Sequence, residues 1–126
     1  MLAADLRKGF MFARLSDAQL ERVAQRATRV SLDEGDLLFH QNEPAERFYL
    51  LLRGQIKLFR ISPNGNEKVI EIVTPCSTFA EALMFLDRPI YPVGAEALQR
   101  AEVLSVDAID FARMLRESMD TCFMLL

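Results

Sequence analysis

From Thr28 onward, apolar and polar residues alternate in short runs that are separated by turn-forming residues. A period of two is typical of β-strands, because successive side chains of a strand point to opposite faces. The runs that we predict as strands are Thr28–Leu32, Leu37–His40, Arg47–Leu52, Gln55–Ser62, Glu67–Thr74, Pro92–Leu98 and Glu102–Val106. Asn64 and Gly65, between two of these runs, form a strong hairpin signal. Many short strands at even spacing indicate an antiparallel barrel or a double-sheet jelly roll.

The same alternation predicts which side chains share a face of a strand. In the third run, Phe48, Leu50 and Leu52 stand at alternate positions and are expected to line one face. Ile70 and Ile72 are expected to do the same on the fifth run.

The residues before the strands predict two short helices. Ser16 and Gln19 form a capping box, in which each side chain bonds the backbone N–H of the other residue. Apolar residues then recur at helical spacing, which indicates a surface helix with one apolar face. Phe10 and Phe12 lie between the two helices, and we expect both rings to anchor this segment on the core. The predicted helices are residues 2–9 and Asp17–Arg26.

The residues after the strands predict two further helices. Asp107 is a plausible N-cap for Ala108–Arg116, and Ser118 can cap a last helix with an apolar stripe. An apolar helix of under about 12 residues is marginal alone, so it must dock on something. We expect residues 1–117 to form one domain and residues 118–126 to begin a dimerisation helix that continues in a longer protein. The alternative is a complete small domain whose last helix folds back on its own barrel. The stripe consists of Met119, Cys122, Phe123 and Leu126.

The composition narrows the possible classes of function. The chain has 126 residues, 51% of them hydrophobic, which fits one domain with a core. It contains no run of about 18 apolar residues and no signal-peptide pattern, so a cytoplasmic protein without a membrane partner is expected. The net charge of −3 argues against nucleic-acid binding by this chain itself. The chain has a single histidine, His40, whereas the usual cupin-type metal site needs several. Every catalytic triad or Cys–His pair would also have to use His40, so we do not expect an enzyme.

Three longer motifs follow one another along the predicted strands. They are L-x-x-G-x-x-x-F-x-Q-x-E-P-A from Leu32 to Ala45, F-Y-x-L-x-x-G-x-x-K-L-x-R at Phe48–Arg60, and P-N-G-x-E-K at Pro63–Lys68. With helices before and after the strands, they resemble the cyclic-nucleotide-binding domain, and more specifically the sensor domain of Crp–Fnr family transcription regulators. The resemblance implies a mainly β fold with flanking helices, of the antiparallel double-stranded β-helix (jelly roll) type. It also implies a small-molecule effector, a homodimer, and DNA binding through a C-terminal domain absent from this chain.

The stretch TFAEALMFLDRPIYPVGAEA, from Thr78 to Ala97, is similar to the phosphate-binding cassette of that family. In the family, a Gly-Glu pair begins a short helix and an Arg follows later; the Glu holds the ribose 2′-hydroxyl and the Arg pairs with the cyclic phosphate. Here Glu81 is kept, Ala80 replaces the glycine, and the arginine position falls on Tyr91. The alternative is a loop that plugs the barrel, with Glu81 capping nearby backbone. The expected pocket residues are Phe79, Ala80, Glu81, Ala82, Leu83, Arg88, Tyr91 and Val93.

The missing arginine is expected to lower the affinity for cyclic nucleotides. A charge-assisted hydrogen bond from a buried Arg contributes about 1.5–3 kcal/mol. Stranding the phosphate charge costs more, and since about 1.4 kcal/mol corresponds to tenfold, the affinity should fall by at least about one to two orders of magnitude. Arg88 is a nearby substitute, but it precedes Pro89 and is more often a solvated loop residue. The sequence favours an effector other than a cyclic nucleotide, with cyclic AMP or cyclic GMP as the alternative.

The cassette is similar to that of the dissimilatory nitrate-respiration (Dnr-type) branch, which resembles haem-dependent nitric-oxide sensors. The resemblance implies an apolar pocket for haem, which needs an axial His, Cys, Met or Tyr. Candidates are His40, Tyr91 and several methionines, including Met84 and Met114. His40 is a weak candidate because it lies at a strand end, where a surface turn is expected. A further alternative is a domain that has lost its ligand, with Tyr91 and Val93 filling the cavity.

Overall fold

The computed structural model describes residues 2–81 and 89–125, with the side chains of those residues up to 118. Within this part, two four-stranded antiparallel sheets face each other, and helices precede and follow them. The helices are α1 (Leu2–Leu6), α2 (Asp17–Gln25) and α3 (Ala108–Leu125), and Phe10–Phe12 form a 3-10 turn. The strands are β1 (Thr28–Leu32), β2 (Leu37–Phe39), β3 (Arg47–Arg53), β4 (Ile56–Ile61), β5 (Glu67–Val73), β6 (Thr78–Phe79), β7 (Gly94–Ala97) and β8 (Ala101–Asp107). No helix in the described part is long and apolar enough to cross a bilayer.

The strands are arranged in a double-sheet jelly roll, which confirms the predicted fold class. The first sheet has the order β1-β8-β3-β6 and the second the order β2-β7-β4-β5. The predicted hairpin joins β4 and β5, where Gly65 takes a positive φ of +83°. Each predicted strand is present, and the short strand β6 is an addition to the prediction.

The space between the two sheets, which we call the roll interior, is filled by apolar side chains. Leu51 and Val103 from the first sheet meet Ile56 and Ala95 from the second, and all four are fully buried. Burying a side chain of the Val, Leu or Ile type stabilises the fold by about 1.5–3 kcal/mol. The roll interior is therefore a packed core that holds the two sheets together.

A second core lies between the first sheet and the helices, and we call it the helix-side core. The ring of Phe12 stacks on Phe48 at 6.0 Å and meets Phe111 edge-on at 5.6 Å. Phe12 is fully buried, as predicted, whereas Phe10 is 91% exposed, so the prediction that both rings anchor the segment was wrong. A 3-10 turn holds about three residues, so side chains two positions apart point in different directions and only one faces the core.

The predicted strand faces are found on β3, but the face predicted on β5 is exposed. Phe48 and Leu50 are fully buried in the helix-side core, and Leu52 packs beside them. Ile70 and Ile72 are instead 47% and 42% exposed. They belong to an edge strand, and the pairing of β5 with β4 is interrupted by a bulge at this point.

The chain ends in one continuous helix, whereas we predicted two. Asp107 accepts a hydrogen bond from the backbone N–H of Asp110 at 3.0 Å, which confirms its capping role. Ser118 does not cap a new helix: its hydroxyl accepts from the Gln19 side chain at 2.9 Å, inside α3. The stretch contains no Gly or Pro that would end a helix there. Leu126 and the side chains of Met119, Cys122 and Phe123 lie outside the described part.

Candidate functional site

Four aromatic side chains stack in the roll interior, and we call them the aromatic column: Phe39, Tyr49, Phe79 and Tyr91. They come from β2, β3, β6 and the loop before β7, respectively. The rings of Phe39 and Tyr91 are 3.8 Å apart with an angle of 13° between their planes. The rings of Tyr49 and Phe79 are 5.4 Å apart and also stacked. The column, which includes the expected pocket residues Phe79 and Tyr91, therefore fills this part of the roll interior with flat apolar surfaces.

Tyr91 is fixed at both its hydroxyl and its backbone. Its hydroxyl donates to the backbone carbonyl of Arg47 at 3.0 Å and lies 3.3 Å from the hydroxyl of Tyr49. Its backbone N–H donates to the carbonyl of Glu43, and its own carbonyl accepts from the N–H of Asn42. Burial raises the pKa of the Tyr91 hydroxyl well above its ordinary value, and the bond with Tyr49 adds to this. The group is therefore a neutral phenol at physiological pH.

Ala80 and Glu81 follow directly after Phe79 of the column. Ala80 has a positive φ of +67°, a conformation that L-residues avoid at a cost of about 1–2 kcal/mol. Glycine, which the family resemblance places here, would adopt it freely. Glu81 is half-buried, and its Oε2 is buried without a hydrogen-bond partner in the described part. A buried oxygen without a partner is unfavourable, so this oxygen calls for a hydrogen-bond donor from outside the described residues.

The other predicted site residues are placed differently. Val93 packs, half-buried, against the roll interior. His40 is exposed at the end of β2, with its Nε2 3.8 Å from Glu43, and Met114 is buried in the helix-side core. In the part of the chain that is described, no three His, Cys, Asp or Glu side chains are arranged to hold a metal ion. The predicted residues Ala82, Leu83, Met84 and Arg88 lie outside the described part.

The sequence interpretation did not identify Phe39 and Tyr49 as site residues. It assigned one face of β3 to the core, but both faces are buried, because helices cover the first sheet on its outer side. A strand that is covered on both faces has a near-continuous apolar run. The run Phe48–Leu52 carried that signal.

Polar side chains join α2 to α3, and we call this group the helix clamp: Gln19, Arg22, Asp110, Glu117 and Ser118. Arg22 donates to both carboxylate oxygens of Asp110, at 3.0 and 3.2 Å, and to Glu117 at 2.9 Å. Gln19 donates to Ser118. Hydrogen bonding to Arg22 holds the pKa of the buried Asp110 carboxyl below its usual range. The clamp thus holds the first part of α3 against α2 through charged groups.

Comparison with protein families and solved structures gives consistent matches. The family model of the cyclic nucleotide-binding domain matches residues 29–118. The crystal structure of the sensor domain of the transcriptional regulator DNR from Pseudomonas aeruginosa superposes with a TM-score of 0.87 at 34% identity. That alignment covers 97% of this chain and 81% of the other.

Several curated proteins match part of the chain, among them two regulators of transcription. The transcriptional activator protein anr of Pseudomonas aeruginosa is 32% identical over 83 residues, which cover 66% of this chain and 32% of anr. The CRP-like cAMP-activated global transcriptional regulator of Mycobacterium tuberculosis is 25% identical over 80 residues, which cover 64% of this chain and 36% of the regulator. The chain spans less than half the length of the curated relatives that it matches.

Proposed function

Since this chain belongs to the cyclic nucleotide-binding domain family and has the sensor-domain fold of Crp–Fnr type transcription regulators, we propose that it senses a small effector other than a cyclic nucleotide and relays the signal through α3. The relatives named above are regulators of transcription, and none of their names describes an enzyme.

The state of Tyr91 is the observation that carries the proposal. The resemblance places this residue where a cyclic phosphate would meet an arginine, and its phenol is uncharged, buried and hydrogen-bonded within the protein. A phosphate brought into the roll interior at this point would lose its water, and the aromatic column, as far as the structure describes it, offers no positive charge in return, which is strongly unfavourable. A neutral or apolar effector avoids this cost.

Cyclic-nucleotide binding is the second candidate, and one observation favours it. The Oε2 of Glu81, which has no hydrogen-bond partner among the described residues, can accept a hydrogen bond from a ribose hydroxyl. This contact alone leaves the phosphate without a cation at Tyr91. We therefore expect cyclic AMP and cyclic GMP to bind weakly.

Haem-bound nitric oxide is the signal that the resemblance to the Dnr-type branch implies. The described residues do not fit a haem, because none of them presents a free axial ligand in the roll interior. The Tyr91 hydroxyl is protonated and hydrogen-bonded, His40 is exposed at a turn, and Met114 lies in the other core. We therefore derive no step of the signal through haem, and a haem titration becomes a test.

The relay would run from the roll interior to α3 and then to a second copy and to DNA. An effector shifts a conformational equilibrium only by its difference in affinity for the two states. In our proposal, the favoured state presents the stripe of Met119, Cys122, Phe123 and Leu126 to the same stripe of a second copy. A further DNA-reading domain would follow this helix, and the cytoplasmic location stays a prediction.

Ligand titrations test the proposal directly. We expect calorimetry with cyclic AMP and cyclic GMP to give no binding at micromolar concentrations, because the phosphate has no partner at Tyr91. Micromolar binding that is lost in Glu81→Gln but kept in the control Glu46→Gln would contradict the proposal and establish the second candidate. Glu46 is exposed and serves as a matched carboxylate outside the candidate pocket.

A haemin titration separates the remaining possibilities. A defined Soret band at fixed stoichiometry would identify haem as the effector-binding group, with its axial ligand among the residues outside the described part, such as Met84. If haemin produces no such band and a screen of neutral apolar compounds produces no thermal shift, the domain has lost its ligand and the sensing proposal is wrong.

A further inference from the structure

We propose that Arg47 is the positioning residue that couples Tyr91 in the roll interior to helices α2 and α3. The functional use of this coupling rests on the proposed function, because coupling to the helices matters only if an effector enters the roll interior. The hydrogen bonds of Arg47 themselves do not depend on an effector.

On its inner side, residue 47 is held by the aromatic column. The Tyr91 hydroxyl has one proton and donates it to the backbone carbonyl of Arg47 at 3.0 Å. The Tyr49 hydroxyl, at 3.3 Å from that of Tyr91, then acts as the donor in their contact. A hydroxyl at the centre of the candidate site therefore bonds the Arg47 peptide, which the first sheet also pairs with Asp107 of β8.

On its outer side, the Arg47 side chain bridges two other elements. Its Nη2 donates to the carbonyl of Arg26, directly after α2, and to the carbonyl of Ser105 on β8, both at 2.8 Å. Its Nε donates to the hydroxyl of Ser105 at 2.9 Å. The carbonyls at a helix C-terminus lack partners within the helix, and a guanidinium satisfies one while matching the helix dipole.

The start of α3 is attached at the neighbouring residue. The backbone N–H of Ala108 donates to the carbonyl of Glu46 at 3.0 Å. The carbonyl groups of residues 46 and 47, together with the Arg47 side chain, thus contact the column, α2, β8 and α3. A shift of residues 46 and 47 would therefore move the end of α2 and the start of α3 relative to the first sheet. In the proposed function, α3 is the helix that transmits the signal.

The side chain at position 47 is used entirely for this bridge. In the described part, Arg47 has no ion pair, and its guanidinium bonds only the three oxygen atoms named above. A planar guanidinium can span two elements with fixed geometry, whereas the ammonium of a lysine is a point donor on a flexible stem. We therefore expect Arg47→Lys to keep the charge and lose most of the coupling.

The test compares two tyrosines that carry the same hydroxyl. Tyr91→Phe removes the bond to Arg47, whereas Tyr49→Phe removes a hydroxyl from the same column and leaves that bond in place. Backbone amide NMR shifts are measured at Arg26 and Ala27, after α2, and at Ala108 in α3. We expect the combined shift caused by Tyr91→Phe to be at least about threefold larger than that caused by Tyr49→Phe.

The second step introduces Tyr91→Phe into variants in which the hydrogen bonds of the Arg47 side chain are removed or weakened. In Arg47→Ala, the response at Arg26 and Ala27 should vanish, and in Arg47→Lys it should fall by at least about half. Equal responses to the two tyrosine variants, or a Tyr91→Phe response that persists in Arg47→Ala, would overturn the proposal. If Arg47→Ala does not fold, Ser105→Ala replaces it and should reduce the response, because it removes the Nε bond alone.

No effector is added in these measurements. An unfavourable result therefore contradicts the role of Arg47 and leaves the effector proposal intact. The ligand titrations described above decide that proposal separately.

Discussion

The buried phenol of Tyr91 makes the stability of the protein sensitive to alkaline pH. Burial raises its folded-state pKa above the unfolded value of about 10. The phenol therefore contributes stability that is fully present below about pH 10 and is lost as the pH rises above that value. We expect the free energy of unfolding to fall more steeply between about pH 9 and about pH 11 in the wild type than in Tyr91→Phe. Urea titrations of both proteins measure this, and parallel pH profiles would show that the phenol is not buried.

Two glycines with the same backbone conformation allow strain and crowding to be separated. Gly35 and Gly54 have φ values of +89° and +88°. A Cβ on Gly35 would meet nothing within 4 Å, whereas on Gly54 it would lie 2.8 Å from the Cα of Ala101 and against the carbonyl of Arg100. Gly35→Ala should cost about 1–2 kcal/mol of left-handed strain.

Gly54→Ala should cost clearly more than Gly35→Ala, because the turn after β3 must also move away from the start of β8. The midpoints of urea unfolding compare the two variants on the same scale. Equal losses of stability would mean that the close approach at Gly54 relaxes freely.

At the scale of elements, the helix clamp is a charged contact with a pH dependence of its own. Arg22 lowers the pKa of Asp110, so the contribution of this carboxylate is present above its unfolded pKa of about 3.9 and is lost as the pH falls through the lower folded value. We expect the wild type to lose stability on acidification more steeply than Asp110→Asn, which is less stable at neutral pH.

A surface ion pair provides the control for this experiment. Asp17 pairs with Arg7 at 2.6 Å, but its side chain is fully exposed. Exposed pairs contribute little, so Asp17→Asn should leave both the stability and its acid dependence nearly unchanged. If Asp17→Asn and Asp110→Asn behave alike, the clamp does not hold α3.

Elements whose signals are local were predictable from the sequence. The capping box at Ser16 uses residues three positions apart, and the structure contains both of its hydrogen bonds. The length of α3 was not predictable in this way, because Ser118 is also a good cap. A side chain 99 positions away, Gln19, binds that serine inside the helix, and no local pattern carries this information.

The candidate site was predictable only in part for the same reason. Tyr91 was identified from its position in the cassette, while its partners Phe39 and Tyr49 come from separate strands. These side chains come into contact only because of the order in which the strands pair in the two sheets. The alternation of apolar and polar residues does not specify that order. The bridge made by Arg47 was not predictable either, because two of its acceptors are backbone carbonyls. Every residue has a backbone carbonyl, so the residue type does not show which of them accepts a hydrogen bond.

At the scale of the whole molecule, the first sheet separates the two cores and contributes side chains to both of them. On β3, Tyr49 and Leu51 face the roll interior, while Phe48 and Leu50 face the helix-side core. Packed interiors have few voids, so a shape change on one side of this sheet is felt on the other. In the proposed function, an effector bound in the roll interior would therefore act on the helices through this sheet, and the output would depend on what α3 contacts.

The proposed contact of α3 is the same helix of a second copy, with the stripe of Met119, Cys122, Phe123 and Leu126 at the interface. If two such helices pair in parallel about a twofold axis, equivalent positions face each other, and a disulfide needs Cα atoms within about 7 Å.

We expect diamide to link Cys76→Ser into a dimer through Cys122. Since Cys76 is exposed, its replacement removes the random crosslinks that it would form. Adding Phe123→Asp to Cys76→Ser should abolish the crosslink by placing a charge in the interface. Crosslinking at the same rate in both variants would mean that Cys122 reacts by collision and that this stripe is not the dimer contact.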